Sequence, residues 1–185
     1  MMGKNILTDY SFCVKKINKL TVKEVKMEQK NETTENKIEQ VVGFKIGNEE
    51  YVIDILKVQE IIKPVDITPI PDSPDFIEGV INLRGMVIPI VSLRKRFKFE
   101  ELKDNRDTKI IVTKIDNHFI GFLVDSVTEV LRIPTKLIEP TPPLVSKIGS
   151  EFLAGVGKLD DRLVIFIDID KILSAEEKEV IEKAL

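Results

Sequence analysis

Residues able to catalyse a reaction are few in this chain of 185 residues. The single histidine, His118, follows Asn117 in a predicted hairpin turn, and one imidazole without a positioned hydroxyl, thiol or carboxylate gives little acid–base catalysis. The single cysteine, Cys13, has no histidine near it in sequence, so we do not expect a catalytic thiol. One histidine and one cysteine cannot build the usual nitrogen and sulfur ligand sets, so no such metal site is predicted.

The acidic side chains form two close sets near the C-terminus, Asp160–Asp161 and the pair Asp168 and Asp170. A small hydrolase that uses Asp160 and Asp168 is one hypothesis, and it requires a deep pocket with perturbed carboxylates. Exposed acids at a strand edge more often prevent aggregation, which is the interpretation we favour. Phosphate-binding and complete calcium-binding loops are missing from the sequence. We therefore predict no catalytic residue, no metal and no cofactor.

The charge balance argues against nucleic acid as a partner. The formal net charge is −3, and aromatic residues make up 6% of the chain, with no tryptophan. Residues 1–40 contain eight lysines and six acidic residues, so residues 41–185 carry about −5. A small barrel that binds single strands needs a basic stripe with aromatic stacking residues. Failure to retard single-stranded DNA at any salt concentration would remove this alternative.

The hydropathy pattern gives no sign of a membrane segment. The longest apolar runs, Met86–Val91 and Leu163–Ile167, are far shorter than the ~20 residues that cross a bilayer. Charged residues such as Lys4 and Asp9 interrupt the N-terminal segment, which therefore lacks the apolar core of a signal peptide. A single cysteine permits no intramolecular disulfide and favours a reducing compartment. We expect a cytoplasmic protein without direct membrane insertion.

Alternating apolar residues from Val41 onward predict a series of β-strands. The alternation over Val42–Ile46 and Tyr51–Ile55, around a Gly47–Asn48 turn, is typical of a β-hairpin. A strand over Val58–Ile62 follows, then a proline-rich crossover, then a second hairpin over Val80–Leu93. These elements alone could form one small barrel.

The second half of the chain repeats the first. Residues 42–61 align with residues 111–130 at a constant shift of 69, and residues 76–93 align with residues 152–169 at a constant shift of 76. The shift changes within the proline-rich segments, where insertions cost little. The repeat predicts two small barrels related by a pseudo-twofold axis.

The fold class that we predict is mainly β, with two pseudo-symmetric five-stranded β-barrels and a C-terminal helix. Lys23–Gln40 is nearly all charged or amide, so it cannot bury enough apolar area to offset the entropy of ordering. Ser174 and Glu177 have the spacing of a helix capping box. The predicted organisation is a disordered tail over residues 1–39 and one domain over residues 40–185, with interlocked subdomains at roughly 40–105 and 106–170 and a helix at 174–184.

Three residues point to a protein-binding surface. Arg84 lies at a predicted hairpin tip before Gly85, where a planar guanidinium is a plausible interface anchor or simply a solvated turn residue. Glu60 interrupts an apolar strand and either faces solvent or pairs with Arg84. Pro89 lacks a backbone N–H, so it predicts an edge strand or a bulge, where another protein could dock.

Three longer strings of the sequence resemble the CheW family of chemotaxis coupling proteins: Glu49–Ile61, Phe76–Gly85 and Val87–Arg94. The resemblance covers the chain from about Val41 to the C-terminus. It implies two intertwined five-stranded barrels and a non-enzymatic adaptor at the membrane-associated receptor array. The implied partners are the cytoplasmic tip of a transmembrane chemoreceptor and the regulatory domain of the histidine kinase CheA, with coupling by population shift across the bound surfaces.

The resemblance also implies which residues bind these partners. Five positions match family residues that border or support the receptor-binding groove: Val58, Glu60, Gly79, Asn82 and Arg84. Ile53 and Ile55 match a surface of the first barrel that meets the kinase domain. Ser92 stands where the family often has an aspartate, which puts any ion pair through that position in doubt. Whether Arg84 contacts receptor or kinase stays open.

Overall fold

The structure, a computed structural model, describes residues 37–100, 106–141, 150–159 and 162–184. Most of the predicted N-terminal tail, Cys13 and the Asp160–Asp161 pair lie outside these residues. The first strand begins at Ile38, two residues before the predicted start of the domain.

Strands dominate the described residues, because apolar side chains alternate or run continuously between turns. The eleven strands are β1 (Ile38–Ile46), β2 (Glu49–Asp54), β3 (Val58–Ile62), β4 (Ile77–Leu83), β5 (Met86–Ser92), β6 (Lys109–Ile115), β7 (His118–Val124), β8 (Ser126–Pro134), β9 (Ile138–Glu139), β10 (Leu153–Leu159) and β11 (Arg162–Ile167). The described residues also contain two α-helices, α1 (Leu93–Arg96) and α2 (Ala175–Ala184). None of the helices in the described ranges is long and apolar enough to cross a membrane.

The strands form two sheets that exchange hairpins between the halves of the chain. The first sheet has the order β8-β1-β2-β11-β10-β9, and the second sheet has the order β3-β6-β7-β5-β4. Each sheet therefore combines the first hairpin of one half with the remaining strands of the other half. The parallel pairs β2–β11 and β5–β7 join these two contributions.

The registers of strand pairing are equivalent in the two sheets, as the sequence repeat predicts. The pairing of β3 with β6 shifts between Val58 and Glu60, and the pairing of β1 with β8 shifts at the equivalent place. A second shift, at Gly79 in β4, recurs at Gly155 in β10. The mainly β fold with two pseudo-symmetric halves is thus confirmed.

Two details of the predicted barrels are corrected. Strand pairing leaves both sheets open, since β3 and β4 are unpaired edges of the second sheet and β8 and β9 are edges of the first. The first sheet also has six strands rather than five, because the two-residue strand β9 pairs with β10. The equivalent element of the second sheet is shorter still, a single bridge from Thr68 to Val80.

The largest hydrophobic core lies between the two sheets. It contains buried residues of both halves, among them Phe44, Ile53 and Phe122. A smaller cluster around Ile88 fills the second sheet, and another around Val52 fills the first. Strands buried on both faces read as continuous apolar runs rather than alternating ones.

Helix α2 contacts the rest of the domain through the buried Ile181 and through two ion pairs, Glu177 with Arg96 and Lys178 with Asp116. The predicted capping box is present, with the Glu177 backbone N–H donating to Ser174 Oγ at 3.2 Å and the Ser174 backbone N–H donating to Glu177 Oε2 at 2.8 Å. Both Glu177 oxygens also accept from the Arg96 guanidinium, at 3.0 and 3.1 Å. Ile181 is buried, whereas Val180 is exposed.

Candidate partner-binding site

The turn between β4 and β5 places Arg84 at the tip of the hairpin. Arg84 and Gly85 have φ values of +54° and +86°, as a tight two-residue hairpin turn requires. The Gly85 backbone N–H donates to Asn82 Oδ1 at 2.9 Å, which fixes the turn locally. The left-handed conformation costs arginine about 1 kcal/mol more than glycine. The Arg84 side chain remains 75% exposed.

The ion pair between Arg84 and Glu60 spans the gap between the edges of the second sheet. Arg84 NH2 lies 3.0 Å from Glu60 Oε2. Glu60 belongs to β3 and Arg84 follows β4, the two strands at opposite ends of the strand order. The sequence left two alternatives for Glu60, exposure to solvent or pairing with Arg84, and the structure shows the pairing. An exposed pair of this kind contributes little to stability, about 0–1 kcal/mol.

Beneath the ion pair lies an open groove of about 410 Å³. Its lining residues come from five elements of the second sheet: Gln59, Glu60, Leu83, Arg84, Met86, Ile88, Val112 and Phe119. Of the lining residues, Ile88 and Val112 are buried, whereas Met86 and Arg84 are exposed. We call this feature the groove. Met86 and the adjacent Val87 are exposed beside it.

Pro89 does not mark an edge strand, because β5 lies between β7 and β4. The prediction was wrong for the strand as a whole. Pairing with β7 begins at Ile90, so the missing N–H of Pro89 falls just outside that ladder. The stretch Met86–Val87 extends beyond β7 and leaves one side of the hairpin accessible next to the groove.

Gly79 supports the groove from behind rather than lining it. Its φ is +140°, and an added Cβ would lie 2.1 Å from the Thr68 carbonyl oxygen. The absence of a side chain lets the proline-rich crossover approach β4, where Thr68 and Val80 exchange two backbone hydrogen bonds of 2.9 and 2.8 Å. Val58, at the start of β3, is also buried.

Ile53 and Ile55 do not reach the surface, which corrects their predicted role as contact residues. Ile53 is 1% exposed and Ile55 is 9% exposed, and both belong to the core between the sheets. The physical reason is that β2 is buried on both faces, since Val52 packs in the smaller core of the first sheet. Their side chains can shape β2 but cannot contact a partner in this conformation.

Ser92 has a structural role that the sequence did not reveal. It is the N-cap of α1, with Ser92 Oγ accepting from the Lys95 backbone N–H at 3.3 Å. The equivalent residue of the second half, Asp168, caps a short turn in the same way and accepts from the Asp170 backbone N–H. A hydroxyl thus replaces a carboxylate as the cap, and the ion pair formed by Asp168 with Lys171 has no equivalent there.

Asp168, one of the two carboxylates of the hydrolase hypothesis, and the nearby Asp170 each form an ion pair with a lysine. Asp168 binds Lys171 at 2.9 Å, and Asp170 binds Lys57 at 2.5 Å. That hydrogen bond raises the pKa of the Lys57 ammonium above its ordinary value. Within the described ranges no group of three or more histidine, cysteine and acidic residues could hold a metal ion. Asp160 lies outside those ranges.

An arginine–glutamate pair that resembles Arg84–Glu60, and that was not predicted from the sequence, lies in the first sheet. Arg162 NH2 donates to Glu129 Oε1 at 2.6 Å. The shift of 69 places Glu129 on Glu60, which is the signal that could have revealed it. Arg162 begins β11 and corresponds to Met86 at the shift of 76, so the arginine sits two residues later than Arg84 in its hairpin.

Fold and site together define a protein-binding module: two open β-sheets, interlocked by exchanged hairpins, with a groove of mixed apolar and polar lining beneath an exposed ion pair. The family model for the CheW-like domain matches residues 40–177. The chain belongs to this family, which confirms the resemblance and the chemotaxis scaffold class that it implies.

The relatives agree with this assignment. The chain is 42% identical to the chemotaxis protein CheW of Klebsiella aerogenes over 139 residues, covering 75% of this chain and 84% of that protein. It is 39% identical to the CheW of Helicobacter pylori, covering 83% and 92%. The crystal structure of the scaffolding protein TtCheW from Thermoanaerobacter tengcongensis superposes with a TM-score of 0.72 at 40% identity, covering 77% of this chain and 97% of that one.

Proposed function

We propose that the protein is a non-enzymatic adaptor that couples transmembrane chemoreceptors to the histidine kinase CheA in the cytoplasm, at the membrane-associated receptor array. The observation that carries the proposal is the Arg84–Glu60 ion pair at the mouth of the groove. The chemotaxis role of the family supplies the context. The partners themselves are inferred from the chemistry of this surface and from the family.

The groove suits the cytoplasmic tip of a receptor, because a groove lined by both apolar and charged side chains can accommodate an amphipathic helix. The Arg84 guanidinium is exposed and can form two parallel hydrogen bonds with a carboxylate of the partner. Exchanging Glu60 for that carboxylate costs little, since the pair within the chain is itself weak. Asn82 and Gly79 would support this contact by holding the hairpin and the crossover in place.

A bridge requires a second surface, and we place the kinase-facing one around β2. Ile53 and Ile55 would act there by shaping the strand, since their side chains are buried. The exposed ends of the same strand, Glu49 and Asp54, offer polar contacts for the regulatory domain of CheA. Receptor state would then bias kinase state through the two occupied surfaces of one rigid body.

A pull-down tests the proposal with a receptor cytoplasmic fragment and the CheA regulatory domain, separately and then together. We expect the chain to retain each partner alone and both at once. Retention of neither partner by folded protein would overturn the proposal. Retention of one partner only, or mutual exclusion of the two, would contradict the bridge while leaving a single binding role.

A further inference from the structure

The first sheet contains a counterpart of the groove, built on the same backbone from different residues. We define the counterpart by Gly43, Glu50, Thr128, Glu129 and Arg162, which the shifts of 69 and 76 place on Val112, Phe119, Gln59, Glu60 and Met86. The pairing registers of the two sheets match at these positions, including the shift within β3 and β8. The difference between the groove and its counterpart therefore lies in side chains and not in the course of the chain.

The counterpart is filled by a polar network. Glu50, 8% exposed, is the one buried charged residue among those described. It accepts from Thr128 Oγ1 at 2.9 Å and lies 3.3 Å from Arg162 NH1. Arg162 also binds Glu129, so its guanidinium lies across the mouth between β2 and the edge strand β8. Gly43 makes room for this network, since an added Cβ would lie 2.5 Å from Thr128 Oγ1.

The groove and its counterpart differ in the ion pairs that a ligand must displace in order to bind. At the groove, Arg84 has one carboxylate partner and is largely exposed, so its displacement costs little. At the counterpart, displacing Arg162 breaks contacts to two carboxylates and leaves Glu50 buried without its cation. The Arg162 side chain is 41% exposed but the Glu50 side chain only 7%, and taking the cation away from a buried carboxylate costs more than separating a surface pair.

We propose that Arg162 and Glu50 close the counterpart, so that each chain accepts one groove-binding partner and the two pseudo-symmetric sheets are not interchangeable. The inference rests on the proposed function, because it concerns the same receptor-type ligand. It assigns specificity to residues of the first sheet that do not touch that ligand. Phe119 and Met86 keep the groove open, whereas Glu50 and Arg162 at the equivalent positions fill it.

The first test uses the full wild-type chain, ¹⁵N-labelled and titrated with a receptor cytoplasmic fragment. We expect the amide signals of residues 82–87 to shift, while those of Lys158, Leu159, Arg162 and Leu163 stay in place. Comparable shifts in both hairpins would overturn the inference and leave the proposed function standing. Shifts in neither hairpin would overturn the proposed function, and the inference with it.

The second test exchanges the residues that close the counterpart for those of the groove, by Glu50→Phe together with Arg162→Met. We expect a second receptor fragment to bind per chain, with new shifts at Leu159 and Leu163. The matched control, Glu50→Gln with Arg162→Lys, retains a polar filling and should bind one fragment. A folded Phe/Met variant that still binds one fragment would contradict the inference. If that variant fails to fold, the wild-type titration decides.

Discussion

We call the two links in which the chain passes from one sheet to the other, β2–β3 and β7–β8, the corners. Each corner forms an ion pair, and the two pairs have opposite arrangements of charge. In one corner Arg94, at the start of α1, binds Asp125 in the link between β7 and β8 through two hydrogen bonds of 3.0 and 2.7 Å. In the other, Asp170 occupies the position equivalent to Arg94 and binds Lys57, in the link between β2 and β3. The charges are thus reversed, although Lys57 aligns with Ser126, one residue after Asp125.

The two corner ion pairs also differ in burial and in the number of hydrogen bonds that they form. The Arg94 and Asp125 side chains are 14% and 13% exposed, and Asp125 also accepts from the Gly47 backbone N–H at 2.7 Å. The hydrogen bond to Asp125 raises the pKa of the Arg94 guanidinium. The Lys57 and Asp170 side chains are 39% and 41% exposed and form a single contact. The Arg94–Asp125 pair is more buried and forms more hydrogen bonds, so we expect it to stabilise the fold more than the Lys57–Asp170 pair does.

The largest difference between the halves is expected at their equivalent glycines. Gly79→Ala should lower the free energy of unfolding by about 4 kcal/mol, because the left-handed backbone is strained by a side chain and the Cβ displaces Thr68 from β4. Gly155→Ala should cost about 1–2 kcal/mol, since its Cβ would lie 2.8 Å from the Glu139 carbonyl oxygen and Gly155 has no such backbone requirement. Urea denaturation measures both, and equal losses would contradict the asymmetry.

Reversing the charge at the hairpin tips should affect binding in one half only. Arg84→Glu is expected to weaken receptor or kinase binding by roughly 2–4 kcal/mol while the fold stays intact, as for reversal of a central interface charge. The control is Lys158→Glu, an exposed charge at the equivalent hairpin, which should leave binding unchanged. Calorimetric titration against each partner separately also identifies which of them Arg84 contacts. An unfolded Arg84→Glu variant would show that Arg84 is structural.

The next largest difference in the free energy of unfolding is expected between variants of the two corner ion pairs. Asp125→Ala is expected to lower the free energy of unfolding by about 2–3 kcal/mol, because it removes charge-assisted hydrogen bonds that are mostly shielded from water. Asp170→Ala should cost about 0.5 kcal/mol, as for an exposed pair. In 1 M salt the smaller loss should disappear while most of the larger one remains. A reversed order of the two losses would refute the ranking by burial.

The smallest effect is expected from the N-terminal segment, which belongs to neither half of the repeat. Removing residues 1–27 should change neither the melting temperature nor partner binding, because this part of the sequence lies outside the aligned residues. Differential scanning calorimetry and the pull-down check the two readouts. A melting temperature lower by several degrees would show that the N-terminal segment packs on the folded domain and contributes to its stability.

Local sequence patterns were enough to predict the hairpins, the repeat and the capping box. The Gly47–Asn48 turn, the alternation in β1 and the spacing of Ser174 and Glu177 all depend on residues only a few positions apart. Such features are dictated by backbone geometry and short-range hydrogen bonds, so a sequence shows them directly. The shared registers of the two sheets followed from the constant shifts in the alignment.

The exchange of hairpins and the filling of the counterpart could not be predicted in the same way. Strand pattern gives the faces of a strand but not which sheet it joins, so the partners of β6 and β7 remained open. Ile53 and Ile55 were assigned to a surface because the pattern of β2 does not reveal that both of its faces are covered. The Arg162–Glu50 contact joins residues 112 positions apart, determined only by the assembled fold.

The exchanged hairpins also constrain how the chain can be made. The second sheet places β6 and β7 between β3 and β5, so it cannot be completed while only the first half has left the ribosome. The first three strands of that sheet to be synthesised must wait, with apolar surface uncovered, until the second half arrives. Long-range pairing of this kind slows folding and favours one cooperative transition. A scaffold built this way has no independently folding half, and damage to the strands of either half affects both sheets.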